Sequence, residues 1–191
     1  MKNTINFGIA NHEDIDSMVN IEKEFFSDYS RAFDKDFMEK WYKYNPNMFY
    51  VVKDSNGKVL GFTILTPVTE ELYNKLLLGE VSDMFDFNEE DVLKDLNSDY
   101  FYFSDICVSK ENKNYIKTVG MLLGGMIKIL SENATYVTTS PITKEGLRMC
   151  EHIGFKKVSE EIFEGKSYPI YELIITKEKK DKFSRISRLI K

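Results

Sequence analysis

The reading turns on one stretch, YFYFSDICVSKENKNYIKTVGMLLGG, Tyr100 to Gly125. Its first nine residues, Tyr100 to Val108, are the strongest β-forming run in the chain, rich in aromatic and β-branched side chains. A polar loop, Ser109 to Asn114, follows, and apolar residues then recur at helical spacing from about Lys117 to Ser131. Ala134 to Thr139 returns to a β pattern. Strand, loop, helix and strand within forty residues is a βαβ unit, so residues 100–139 predict a parallel strand pair. A strand that runs through a loop into a helix start also makes an anion site. Unpaired N–H groups and the positive end of the helix dipole converge there.

Working outward, Ile5, Phe7 and Ile9 alternate with polar residues as a short strand does. Asn11 and Asp14 are helix-start residues, and Ile15, Met18, Val19, Ile21 and Phe25 follow at helical spacing. A second helical stretch runs from about Phe33 to Tyr44 and stops at Asn45-Pro46. Met48 to Val52 and Val59 to Leu65 are strands across the turn Ser55-Asn56-Gly57, although Gly61 is unusual inside a strand. Residues 67–99 form a polar insert predicted to be helical, over Thr69 to Leu78 and again over Asn88 to Leu96. Thr143 to Ile153 is a helix closed by Gly154. Phe155 to Phe163 and Tyr168 to Thr176 form a second hairpin. The fold class is therefore α/β: a mixed central sheet flanked by helices, with a helical insert between strands 3 and 4 and a basic C-terminal helix.

Composition bounds the function. A chain of 191 residues with 42% hydrophobic content can bury roughly 70% of its unfolded surface, and ten Gly with four Pro exclude collagen-like classes. Lys128 interrupts the best apolar run, so no integral membrane segment is expected, and the start carries no apolar export signal. Cys107 and Cys150 have neither metal spacing nor the number for a disulfide framework; a reduced, cytoplasmic protein is expected, with no metal. Residues 177–191 hold seven Lys/Arg against two Asp/Glu, so residues 1–176 carry −10 of the net −5. An acidic body argues against nucleic acid and is compatible with cationic partners; simple solubility explains it equally well.

The element order and particular residues resemble the GNAT superfamily of acyl-CoA-dependent N-acyltransferases, over roughly residues 4–176. Ser104 to Ser109 is similar to the family's central strand. Tyr115 to Gly120 falls where the family carries Gln/Arg-x-x-Gly-x-Gly/Ala, and Met121-Leu122-Leu123 follow. Gly146 to Phe155 resembles the later helix, which ends in Gly-Phe. The resemblance implies a domain over 1–176, with 67–99 as its acidic insert and 177–191 as a basic amphipathic tail. It implies acetyl transfer from acetyl-CoA to a primary amine of a small molecule or peptide. The partners are then acetyl-CoA and an amine acceptor, with the protein a monomer or homodimer.

The same resemblance assigns candidate residues. Ile106, Cys107 and Val108 would meet the thioester and pantetheine. Tyr115, Ile116, Lys117, Thr118, Val119, Gly120 and Met121 would meet the diphosphate, and Thr143 would also bind the cofactor. Asp105 is the candidate base, against the alternative of a solvent-facing strand residue. Cys150 stands where the family often has a proton-donating Tyr, against the alternative of a small core residue. Tyr115 and Thr118 depart from the motif, and Lys113 and Lys117 could restore attraction for phosphate. These departures leave a second functional class open, a catalytically degenerate GNAT-like domain acting as a binding or regulatory module. Residues 80–99 hold eight Asp/Glu against Lys94 alone, a charge that would concentrate cationic amines. In the tail, Phe183, Ile186 and Ile190 share a helical face opposite Arg185, Arg188 and Lys191. A docked or partly disordered helix is favoured there over a membrane-surface or partner-binding role.

Overall fold

A computed structural model describes residues 4–27, 32–163 and 165–188, and side chains as far as Phe183. The strands are β1 (Ile5–Ile9), β2 (Phe49–Asp54), β3 (Val59–Pro67), β4 (Tyr100–Val108), β5 (Tyr136–Thr139), β6 (Lys156–Phe163) and β7 (Lys166–Ile174). The helices are α1 (Ile15–Phe26), α2 (Lys35–Tyr44), α3 (Glu70–Leu78), α4 (Tyr115–Asn133), α5 (Lys144–Ile153) and α6 (Lys177–Arg188). The seven strands follow the order β1-β2-β3-β4-β5-β7-β6, and β4 and β5 are parallel as the βαβ reading requires. The α/β architecture is thus the one expected.

The chain divides into two compact units. The first comprises Met1–Leu65, Asp105–Ile129 and Lys182–Lys191; the second comprises Thr66–Ser104 and Leu130–Asp181. In the first unit β1 and β2 pair antiparallel, as do β2 and β3. Between β2 and β3, the Asp54 carboxylate accepts the N–H groups of Asn56 and Lys58, while Gly57 takes φ 84°. Ile5, Val52, Leu60, Val108 and Leu122 form a buried apolar cluster, flanked by Phe7, Ile106, Val119 and Met121. Gly61 has a packing reason to sit in a strand: a Cβ there would lie 2.7 Å from the Cys107 carbonyl oxygen. Below α1, the buried Asp14 carboxylate caps Asn11 and pairs with Lys53 Nζ at 2.7 Å.

In the second unit β5 pairs with β7 and β7 with β6, both antiparallel. The register of β4 with β5 runs only from Tyr100↔Tyr136 to Tyr102↔Thr138. β4 itself continues to Val108. Tyr73 donates to Glu172 at 2.8 Å, and its ring packs on those of Tyr100 and Tyr136.

One expectation needs correction. The insert is helical only over α3; Asn88 to Leu96 is not a helix. Glu89–Asp91 makes one 3-10 turn whose N-terminal Asn88 is bonded to the Asp91 carboxylate. Val92 then turns extended, bridges to Val68 and is buried, and the Leu93 N–H donates to the Pro67 carbonyl. The apolar spacing of Val92, Leu93 and Leu96 suits a helix, but burying Val92 as an added strand residue wins, because the flanking Asp91 carbonyl and Leu93 N–H find partners in Thr69 and Pro67. The tail begins as the expected helix with Phe183 buried. The side chains of Arg185, Ile186, Arg188, Ile190 and Lys191 lie outside the described residues.

Candidate functional site

The site is built in the first unit, from the end of β4 through the loop to α4. Thr63 on β3 donates its hydroxyl to the Asp105 carbonyl at 2.7 Å and so fixes the main chain where β4 turns polar. The Asp105 side chain is half-buried. Alternation along the strand sends Cys107 to the same side, where its thiol donates to Glu22 Oε2 of α1 at 3.6 Å. Glu22, Asp105 and Cys107 each bring a potential ligand atom within 4.8 Å of the others. Glu22 is 2% exposed, with the Phe33 N–H bonded to Oε1 at 3.4 Å. Burial pushes its pKa from 4.5 up to about 7, against the two hydrogen bonds that favour the charged form. Burial, with Glu22 and Asp105 adding to it, pushes the Cys107 thiol well above its usual value. The three groups form one cluster of ionisable side chains, with Glu22 and Cys107 buried and Asp105 half-buried.

The loop after β4 is tied down by its own side chains. Glu24, two residues after Glu22, accepts the Ser109 hydroxyl at 3.1 Å and the Lys110 N–H at 2.6 Å, and Lys110 Nζ bonds the Glu24 carbonyl. The Asn114 N–H donates to Asn112 Oδ1, and Asn112 Nδ2 donates to Thr118 Oγ1 at 2.8 Å. The first helical bond of α4 is made by the Thr118 N–H to the Asn114 carbonyl. The N–H groups of Tyr115, Ile116 and Lys117 therefore precede the helical ladder and are the donors a helix N-terminus offers to an anion. Tyr115, Ile116, Lys117 and Lys113 are exposed, and a Cβ at Gly120 would meet nothing within 4 Å. Thr118 is fully buried and locks the loop. Its extra bulk, unusual for this motif, is buried, while Tyr115, Ile116 and Lys117 stay exposed at the helix start.

These features come with a fold that many solved acetyltransferases share. The chain covers 91% of itself and 99% of the N-acetyltransferase of Staphylococcus aureus Mu50 at TM-score 0.61 and 13% identity. It matches yncA of Salmonella typhimurium, solved with its cofactor acetyl-CoA, at TM-score 0.60 and 13% identity, over 92% of this chain and 96% of that one. A GNAT-family acetyltransferase of Bacillus cereus ATCC 10987 matches at TM-score 0.54 and 18% identity, over 90% and 97%. The chain has the GNAT fold. No protein-family model matches the sequence, and no curated protein matches it. Among the described residues no helix is long and apolar enough to cross a membrane.

On this GNAT fold the expected residues divide. Asp105, Ile106, Cys107 and Val108, with Tyr115 to Met121, all lie in the first unit, along β4 and the first turns of α4. Ile106, Val119 and Met121 are partly buried against the apolar cluster, and Val108 is inside it. Thr143 and Cys150 belong to the second unit. Thr143 caps α5, its hydroxyl oxygen accepting the Gly146 N–H at 3.0 Å. Cys150 is 1% exposed, and burial pushes its thiol up to about 12. An acid that weak is a poor donor to a thiolate, so the structure favours the alternative reading of Cys150 as a core residue. Glu22 was not singled out by the sequence reading, although a signal was present. It falls seven residues after Ile15 on the apolar stripe of α1, where a charge needs a reason.

Proposed function

We propose that the protein transfers an acetyl group from acetyl-CoA to a primary amine, with the chemistry centred on Glu22, Asp105 and Cys107. The observation that carries this reading is the buried Glu22 carboxylate beside Asp105 at the end of β4, in a chain with the GNAT fold. The attacking amine must be neutral, and a carboxylate whose pKa lies near 7 is matched to take its proton near neutral pH. The amine nitrogen forms the C–N bond as the C–S bond of the thioester breaks; the amine proton passes to Glu22, directly or through Asp105, and coenzyme A leaves as its thiolate. Ile106, Cys107 and Val108 lie on the part of β4 that β5 does not pair, where main-chain groups suit the amides of a pantetheine arm. The N–H groups of Tyr115, Ile116 and Lys117, with the Lys113 and Lys117 ammonium groups, suit the diphosphate. Holding thioester and amine together supplies on the order of 7–11 kcal/mol of the barrier.

The alternative, a GNAT-like binding module without turnover, draws support from Tyr115 and Thr118 in the phosphate motif. A thermal melt with acetyl-CoA at ~100 times its dissociation constant should register about 2.7 kcal/mol of added stability. Release of free thiol with an amine panel then separates the two readings. A shift without thiol release supports the module, and no shift at millimolar acetyl-CoA refutes both. Loss of turnover in Glu22→Gln with acetyl-CoA binding retained supports Glu22 as the base.

A further inference from the structure

Within the first unit, the C-terminal end of α1 and the first residues after β4 grip each other. Glu24 is half-buried, and both of its carboxylate oxygens are occupied. Oε1 accepts the Ser109 hydroxyl at 3.1 Å, and Oε2 accepts the Lys110 N–H at 2.6 Å, the short length of a charge-assisted bond. The grip is returned. The last four carbonyls of a helix lack partners within it, and Glu24 stands third from the end of α1. Its carbonyl is satisfied by Lys110 Nζ, which also lies 4.8 Å from the centre of the Phe25 ring. From the other side the Ser109 N–H donates to the Leu60 carbonyl of β3 at 3.0 Å. Ser109 is buried, whereas Lys110 and Glu111 are exposed.

An acid on the loop that leads to a diphosphate site works against that anion through its charge. Its hydrogen bonds work the other way. Residues 106–108 carry the main chain that suits the pantetheine arm, residues 115–117 carry the N–H groups that suit the diphosphate, and Ser109 and Lys110 begin the connection between them. If that connection were loose, the ligand would have to order it, at a cost in affinity. We propose that Glu24 is a positioning residue for acetyl-CoA: by holding Ser109 and Lys110 against α1 before the ligand arrives, it fixes the path from β4 to α4. This assignment rests on the acetyl-CoA reading above and adds to it a residue that acts through the loop main chain. Glu22 lies two residues earlier on the same helix, so α1 holds the base and the cofactor loop in one register.

Titration calorimetry of the full chain with acetyl-CoA reads the effect without requiring turnover. Glu24→Ala removes both acceptors and should weaken acetyl-CoA binding about tenfold, the factor that goes with one lost hydrogen bond to a charged group. Glu24→Gln should recover most of that affinity, because its carbonyl oxygen can accept the Lys110 N–H while its amide donates to the Ser109 hydroxyl oxygen. Ser109→Ala should weaken binding less than Glu24→Ala does, and combining the two should add no further loss. A thermal melt of each variant confirms that folded protein is titrated. Where thiol release is followed, KM for acetyl-CoA should rise by a larger factor than kcat falls. A role through charge alone gives the opposite sign, with both Glu24 variants binding acetyl-CoA more tightly, most of all at low salt. That result overturns the proposal, as does unchanged affinity in Glu24→Ala, or a Glu24→Gln as weak as Glu24→Ala. If the wild type binds no acetyl-CoA, this assignment and the acyl-transfer reading fall together. If Glu24→Ala weakens binding but no amine is acetylated, the acyl-transfer reading alone fails and the positioning role stands.

Discussion

Glu22→Gln should make the protein more stable at high pH and leave it nearly unchanged at low pH. The carboxyl of Glu22 titrates near 4.5 in an unfolded chain and near 7 in the native state, because burial in α1 disfavours its charged form. Between those values the native state binds more protons than the unfolded state, so stability falls as pH rises through the interval. Below 4.5 the penalty is absent, and above 7 it is complete. The displacement corresponds to about 3 kcal/mol. Glutamine removes the ionisation, and its single carbonyl oxygen can keep the Phe33 N–H bond, while its amide group replaces the oxygen that accepts the Cys107 S–H. The variant should therefore exceed the wild type at pH 8 by up to about 3 kcal/mol, or about 6–12 °C in Tm for a chain of this length, with the two converging near pH 4. Guanidinium unfolding across pH 4–9 reads the difference directly. Parallel curves for the two proteins, or a variant less stable at pH 8, would refute the claim that Glu22 is held in a desolvated site.

Other expectations follow from single contacts. Gly61→Ala should cost about 1–3 kcal/mol, since its Cβ meets the Cys107 carbonyl oxygen; an unchanged Tm argues against that close approach. Thr118→Val preserves shape but removes the acceptor for Asn112, and should cost about 1 kcal/mol while sparing acetyl-CoA affinity. A large drop in that affinity with stability intact would instead make the Thr118 hydroxyl part of the cofactor site. With thiols buried and pushed to about 12 at Cys150 and well up at Cys107, a disulfide reagent at pH 8 should label neither until the chain is unfolded. Rapid native labelling would contradict the burial of both.

What the sequence determined by itself was the order of elements and the direction of β4 against β5. The β-rich run Tyr100 to Val108, the loop, and the helical spacing from about Lys117 to Ser131 are local patterns, written in residues close together in the chain. Thr143, Gly154 and Asp54 likewise declare their caps and turn through hydrogen bonds that span only a few positions. Asn88 to Leu96 shows the limit of that logic, for its helical spacing lost to a long-range bridge between Val92 and Val68. The meaning of Gly61 also needed the fold, because its neighbour is the Cys107 carbonyl far along the chain. Most of the candidate site was decided in the same way. Asp105 announced itself as an acid in a strand, but Glu22 acquires its altered acidity only when α1 is packed onto β4 and water is removed. Backbone hydrogen bonding and side-chain periodicity act between near neighbours and are legible in order. Desolvation and convergence of charge arise between residues distant in the chain, and only tertiary structure assembles them.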